Sequence, residues 1–150
     1  MYSNRILLAE DDPTDADFFQ RALNRLDTPP DLVWCRTGSQ AFTDLVECTT
    51  KQQLPRVAVV DIKMPGMSGL ELLEKIKSND EIKHLPVIIM SSSDEPSDIA
   101  RAYDNGANGY LVKPNKFRDL RELVTSIDYF WIKTNRLRPS IQPTNQQGLS

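Results

Sequence analysis

Five short apolar runs alternate with five segments of helical periodicity, which predicts an α/β domain: a parallel sheet wound on both faces by helices. The run Val57-Ala58-Val59-Val60 is apolar without alternation, as expected of a strand covered on both faces of a parallel sheet. That run ends in a carboxylate, Asp61, followed by the Pro65-Gly66 turn. The C-terminal edge of such a sheet is where ligands and chemistry collect.

The first strand is expected over residues 6–9, followed at once by Glu10, Asp11, Asp12 and Pro13. Asp12 as N-cap and Pro13 at the first helical position start a helix that runs to about Leu26, with Ala16, Phe19, Ala22, Leu23 and Leu26 on one stripe. Phe18 falls off that stripe. Thr28-Pro29-Pro30 breaks the chain, and residues 32–35 form the second strand. Gly38 and Ser39 open a helix whose Ala41, Phe42, Leu45 and Val46 mark a buried face, and residues 49–55 read as a loop.

After the Asp61 strand, Ser68 and Glu71 form a capping box for a helix over residues 69–79, built on Leu70, Leu72, Leu73 and Ile76. Asp61 is therefore not needed as a cap. Residues 87–90 form a fourth strand, followed by the polar stretch 91–96. A helix with Ile99, Ala102 and Tyr103 stops at Gly106, which suits a left-handed C-cap. Residues 109–112 make the fifth strand, ending at Lys113-Pro114. From Lys116 a last helix carries Phe117, Leu120, Leu123, Val124, Ile127 and Phe130 inward, with Trp131 and Ile132 as added apolar surface. The domain is expected over 1–133, with a polar, flexible tail over 134–150 that is richest in Gln, Pro, Ser, Asn and Thr from Pro139.

Composition sets outer bounds. A chain of 150 residues with 39% hydrophobic and 26% charged residues and net charge −3 is an ordinary globular protein with no electrostatic invitation to nucleic acid. No apolar run nears the ~20 residues of a membrane span, and Met1-Tyr-Ser-Asn-Arg lacks a signal-peptide pattern, so a cytoplasmic location is expected. Cys35 and Cys48 show no metal or redox spacing and read as reduced thiols. The only histidine, His84, sits in a polar turn before Leu85-Pro86.

Right-handed crossovers bring all strand C-termini to one edge. In the flavodoxin-like order 2-1-3-4-5, strands one and three adjoin at the switch point. Glu10 and Asp11 then lie beside Asp61, with Ser91 and Lys113 on the other side. Three carboxylates in one pocket repel one another, and a divalent cation relieves that repulsion. An all-oxygen set suits hard, octahedral Mg2+ better than zinc. Lys113 and the Ser91 hydroxyl can each meet a phosphoryl oxygen, and an aspartate can itself be the nucleophile, giving an aspartyl phosphate. These are the parts of a phosphoryl transfer.

The segments Ile6-Leu-Leu-Ala-Glu-Asp-Asp12, Val60-Asp-Ile-Lys-Met-Pro-Gly-Met-Ser-Gly69, Pro86-Val-Ile-Ile-Met-Ser-Ser92 and Gly109-Tyr-Leu-Val-Lys-Pro114 carry a resemblance to the receiver domains of two-component response regulators, over residues 4 to about 130. The resemblance implies that Asp61 accepts a phosphoryl group from the phosphohistidine of a sensor histidine kinase. It implies that Asp11 binds Mg2+ directly, Glu10 largely through water and Lys63 through its backbone carbonyl. Ser91 and Lys113 would hold the phosphoryl group, Lys113-Pro114 would be a cis peptide, and Ser91 with Tyr110 would form the switch. Lys63 and Ser93 fall where this family tunes phosphoryl lifetime.

Only about 20 residues follow Phe130, so a stand-alone receiver is expected, with output through protein binding or phosphorelay. The run from Ile127 to Pro139 resembles the extended end of single-domain regulators paired with bacterial phytochromes. Phe130, Trp131 and Ile132 are expected to face a second copy, and Phe18 a docking kinase. Two rivals stay in view. A haloacid-dehalogenase-type phosphatase wants a second Asp where Lys63 stands, and a phosphorylation-independent scaffold or binding module would leave the complete constellation idle.

Overall fold

The computed structural model describes residues 2–139. The chain runs β1 (Arg5–Ala9), α1 (Pro13–Leu23), β2 (Asp31–Cys35), α2 (Gly38–Lys51), β3 (Val57–Val60), α3 (Gly69–Ser78), β4 (Val87–Ser91), α4 (Pro96–Asp104), β5 (Gly109–Val112) and α5 (Phe117–Ile127), closing with a π-helix over Asp128–Thr134. All strand pairs are parallel, in the order β2-β1-β3-β4-β5. This is the doubly wound order expected from the sequence.

Alternate residues of each strand serve two cores. Leu7, Ala9, Ala58, Val60 and Ile89 pack with the apolar faces of α2, α3 and α4. Ile6, Leu8, Val57, Val59 and Ile88 pack with Ala16, Phe19 and Leu23 of α1 and with Val124 and Ile127 of α5. Being central and helix-covered on both sides, β3 is buried along its whole length, which explains its unbroken apolar sequence. Asp12 caps α1 through a 2.8 Å bond from the Thr14 N–H, and Ser68 caps α3 by accepting from the Glu71 N–H at 3.2 Å. Gly106 adopts φ +100 behind α4, as its left-handed C-cap role requires.

Several expectations about helix ends and faces need correction. The first helix stops at Leu23, and Leu26 lies in the turn that follows. The second helix continues to Lys51 through residues expected to be loop. There, the Thr49 and Thr50 hydroxyls donate to the carbonyls of Val46 and Glu47, so the helix absorbs its own polar groups. Val46 is exposed rather than buried. The Lys113–Pro114 peptide is trans, as no described peptide is cis; for X-Pro bonds the two isomers differ by only about 0.5–1 kcal/mol, too little for a local motif to decide.

The largest correction concerns the last helix. Beyond Ile127 it winds with i→i+5 bonding, as in Asn135 N–H to the Phe130 carbonyl. Wider winding advances each residue by a smaller angle. Phe130 consequently turns outward, 48% exposed, while Trp131 and Ile132 pack on the chain's own α1/α5 core. The same winding sets Lys133 above the buried Asp128, five residues earlier, with Nζ at 2.9 Å. Of the expected tail, residues 134–139 are described, with Thr134 closing the π-helix; the Tyr2 hydroxyl donates to the Arg138 carbonyl at 3.1 Å. The remainder, from residue 140, lies outside the described residues. Cys35 and Cys48 are both free thiols, and burial pushes the Cys35 thiol up to about 12.

Candidate functional site

Three strand ends converge at the C-terminal edge of the sheet. Glu10 follows β1, its N–H donating to the Cys35 carbonyl at 3.0 Å and its carbonyl accepting from the Trp34 indole Nε1 at 2.8 Å. Its carboxylate turns inward, with Oε1 accepting from the Asp12 N–H at 3.1 Å. Asp61 follows β3, its N–H donating to the Ala9 carbonyl at 3.0 Å, so it sits directly beside the end of β1. Its Oδ1 accepts from the Lys63 N–H at 3.2 Å. The peptide of Asp61 also forms the floor beneath the start of α3: a Cβ on Gly69 would lie 2.0 Å from the Asp61 carbonyl oxygen. Only glycine permits that approach.

Lys113, just past β5, donates its backbone N–H to the Ser91 carbonyl at 2.8 Å, which ties the ends of β4 and β5 together. Its ammonium crosses to Glu10 Oε2 at 2.7 Å, Asp61 Oδ2 at 2.8 Å and Asp15 Oδ2 at 2.9 Å. Carboxylate oxygens of Glu10, Asp11 and Asp61 lie within 4.8 Å of one another. Glu10 and Asp61 are buried and Asp11 half-buried, so the sheet edge holds an excess of negative charge that one ammonium does not balance.

The electrostatics follow from that excess. Burial, and secondarily the Asp61 charge, push the Glu10 carboxyl up to about 7 against the lowering effect of the Lys113 ammonium. Burial works to lower the Lys113 value, but its bonds to Asp61, Glu10 and Asp15 together outweigh this and raise it. Lys113 therefore stays charged. An all-carboxylate cluster with surplus negative charge fits a hard divalent cation, since oxygen donors and uncompensated charge are what Mg2+ or Mn2+ selects.

Ser91, the last residue of β4, is buried, and its hydroxyl accepts from the Ser93 N–H at 3.1 Å. Ser93 is in turn tied on both sides. Its hydroxyl donates to Asp98 of α4 at 2.6 Å, and its carbonyl accepts from the Tyr110 hydroxyl at 2.8 Å. Loop, helix and edge strand are thus joined through one residue.

The structure brings together Glu10, Asp11, Asp61 and Lys113 as expected, with Ser91 on the same edge. Phe18, Phe130, Trp131 and Ile132 are elsewhere. Phe18, 41% exposed, leans on Phe117 with ring centroids 6.1 Å apart, and both line a cavity of about 190 Å3 that also touches Asp15 and Lys113. Two residues were missed by sequence reasoning. Asp15 looks like an ordinary acidic residue of a first helical turn, and Trp34 like one strand aromatic among others. For both, the telling fact is a partner distant in the chain.

A doubly wound five-stranded sheet whose C-terminal edge holds an acidic cluster, a strand-end aspartate and a crossing lysine defines a signalling phosphoacceptor module. Comparison with known proteins agrees: the family model described as the response regulator receiver domain matches residues 6–125. The chain belongs to the response regulator receiver family, whose members are phosphoacceptors of two-component signalling rather than conventional enzymes. It is 35% identical over 132 residues to a probable methanogenesis regulatory protein, FilR2, of Methanothrix harundinacea, covering 87% of this chain and 85% of that protein. It is 30% identical over 131 residues to response regulator Rcp1 of Synechocystis, covering 86% and 89%. Among solved structures, a response regulator in red light signalling of R. palustris aligns with TM-score 0.82 at 27% identity, covering 91% of this chain and 99% of that one. The phosphorylated cyanobacterial phytochrome response regulator RcpA aligns with TM-score 0.78 at 29% identity and the same coverage.

Proposed function

We propose that Asp61 is the phosphoacceptor of this receiver and that a sensor histidine kinase is its donor. The observation that carries this is the convergence of the Lys113 ammonium on Asp61 and Glu10 across strands β1, β3 and β5. In the transfer, an Asp61 carboxylate oxygen attacks the phosphorus of the donor phosphohistidine as the N–P bond breaks. The bonding pair returns to the imidazole nitrogen, and the ring, already protonated on its other nitrogen, leaves as neutral imidazole. Lys113 holds one phosphoryl oxygen and the Ser91 hydroxyl another. A separate decay step, attack of water on the aspartyl phosphate, releases inorganic phosphate and restores the carboxylate, so the domain catalyses both its own loading and its own decay.

Glu10, Asp11, Asp61 and the Lys63 carbonyl would hold Mg2+ at the acidic cluster. When bound, Mg2+ supplies charge neutralisation and a Lewis-acid contact for a phosphoryl oxygen. A structure of Rcp1 in its Mn2+-bound form is among the similar folds and supports this assignment.

Ser91 and Tyr110 act as the switch. Drawing the Ser91 hydroxyl toward the phosphoryl group takes it from the Ser93 N–H, and Ser93 holds both Tyr110 and Asp98, so the change passes to β5 and α4. Output then runs through protein binding or phosphorelay by a cytoplasmic receiver. No helix among the described residues is long and apolar enough to cross a membrane.

A phytochrome-type kinase is the donor favoured by the resemblance to RcpA and to the bacteriophytochrome response regulator AtBRR, the latter 31% identical with TM-score 0.69. Phe18, exposed beside Phe117, is the kinase-docking candidate. The proposed contact with a second copy rests on Phe130, with Tyr129 exposed beside it. Trp131 and Ile132, which lean on the chain's own core but are only partly buried, flank that contact.

Intact mass after incubation with acetyl phosphate and Mg2+ tests the central reading. A phosphoryl adduct that disappears with EDTA and in Asp61→Asn supports it. No adduct, under conditions that label another receiver, favours the phosphorylation-independent binding module instead.

A further inference from the structure

The Lys113 ammonium has three N–H donors, and Glu10, Asp61 and Asp15 each accept from it within 2.9 Å. Its donor capacity is full. A phosphoryl oxygen can therefore reach Lys113 only if one acceptor leaves, and the three are not equally held. The Glu10 side chain is 2% exposed and is also tied to the Asp12 N–H. Asp61 is 9% exposed, is tied to the Lys63 N–H, and carries the incoming group itself. The Asp15 side chain is 42% exposed and sits at the wall of the cavity that opens beside Lys113. It can leave into water without stranding a buried charge, so displacing it costs least.

We infer that Asp15 is a positioning residue that occupies the phosphoryl-binding donor of Lys113 in the resting domain and must release it for phosphorylation. This rests on the phosphoacceptor reading given above. Asp15 holds Lys113 centred over the acidic pocket while no phosphoryl group is present and competes with that group when it arrives. Its position in the first turn of α1 matters here. The same short helix carries Phe18 on the cavity wall, so a partner seated against Phe18 would sit next to the Asp15 carboxylate.

The test compares wild type, Asp15→Asn, Asp15→Glu and Asp17→Asn. Asp17 lies two residues away, is exposed and pairs with Arg21, so its neutralisation repeats the charge change without touching Lys113. Two readings are taken with Mg2+ present: affinity for beryllofluoride, a phosphoryl mimic, and the acetyl-phosphate concentration that gives half-maximal labelling of Asp61. Asp15→Asn is expected to improve both by about threefold, the worth of one partly exposed ion pair. Asp15→Glu and Asp17→Asn are expected to match wild type. An unchanged or weakened Asp15→Asn, or an Asp17→Asn that improves equally, overturns the inference. Failure of every variant, wild type included, to bind the mimic or take up label overturns the phosphoacceptor reading itself and the inference with it.

Discussion

The Trp34 indole donates a 2.8 Å hydrogen bond to the carbonyl of Glu10, so edge strand β2 braces the peptide joining two of the pocket's carboxylates. The ring is partly exposed, with the Arg36 guanidinium 5.3 Å from its centre. An indole so placed should sense the charge state of the pocket. Mg2+ is expected to shift the emission of Trp131→Phe, where Trp34 is the sole indole, and to leave Trp34→Phe unaffected. Trp34→Phe should also cost about 1 kcal/mol in urea unfolding, the worth of one hydrogen bond. A Trp131→Phe protein whose emission ignores the metal would break the link between β2 and the pocket.

Glu10 makes the metal-free protein sensitive to pH. Its carboxyl rises from an ordinary 4.5 to about 7 in the folded chain, chiefly through burial. The folded state thus holds this proton more tightly than the unfolded chain does. The stability it contributes is present below pH ~4.5 and lost as pH climbs toward 7. In EDTA, folding free energy should fall on the order of 2 kcal/mol between pH 5 and pH 8. Glu10→Gln, which cannot ionise, should flatten that slope, and a variant that keeps the full slope would show that another group is responsible.

The surplus of negative charge at the sheet edge predicts stabilisation by metal. At a hundredfold excess over its dissociation constant, Mg2+ should add about 2.7 kcal/mol, or roughly 6–10 °C in melting temperature for a chain of this size. EDTA should reverse the gain, and Asp61→Asn should reduce it. Equal melting curves with Mg2+ and EDTA would argue against a cation at Glu10, Asp11 and Asp61.

Gly69 and Gly66 separate two reasons for a glycine. At Gly69 the obstacle is space, since a Cβ would lie 2.0 Å from the Asp61 carbonyl oxygen. At Gly66 it is backbone strain, with φ +75 and nothing within 4 Å. Gly69→Ala should cost about 3 kcal/mol and impair phosphorylation by shifting the Asp61 peptide. Gly66→Ala should cost about 1 kcal/mol, with less effect on labelling. Urea melts with acetyl-phosphate labelling check both, and the reverse order of costs would refute the argument.

Much of this molecule is written in local pattern. The apolar run before Asp61, the acidic triplet after β1 and Lys113 after β5 are legible because strand and helix periods, and the right-handed crossover, determine which residues reach the sheet edge. From these the sequence by itself determined the strand order and the membership of Glu10, Asp11, Asp61, Ser91 and Lys113 in one constellation. Helix ends were less legible: α2 runs on through Thr49 and Thr50 because their hydroxyls bond back to its own carbonyls. Only the tertiary structure decided that Asp15 takes the third donor of Lys113, that Trp34 braces Glu10, and that π-winding turns Phe130 out while drawing Trp131 and Ile132 in. The physical reason is common to all three. Periodicity specifies which face of an element is apolar, whereas these outcomes depend on how one element is rotated against another, which packing alone sets.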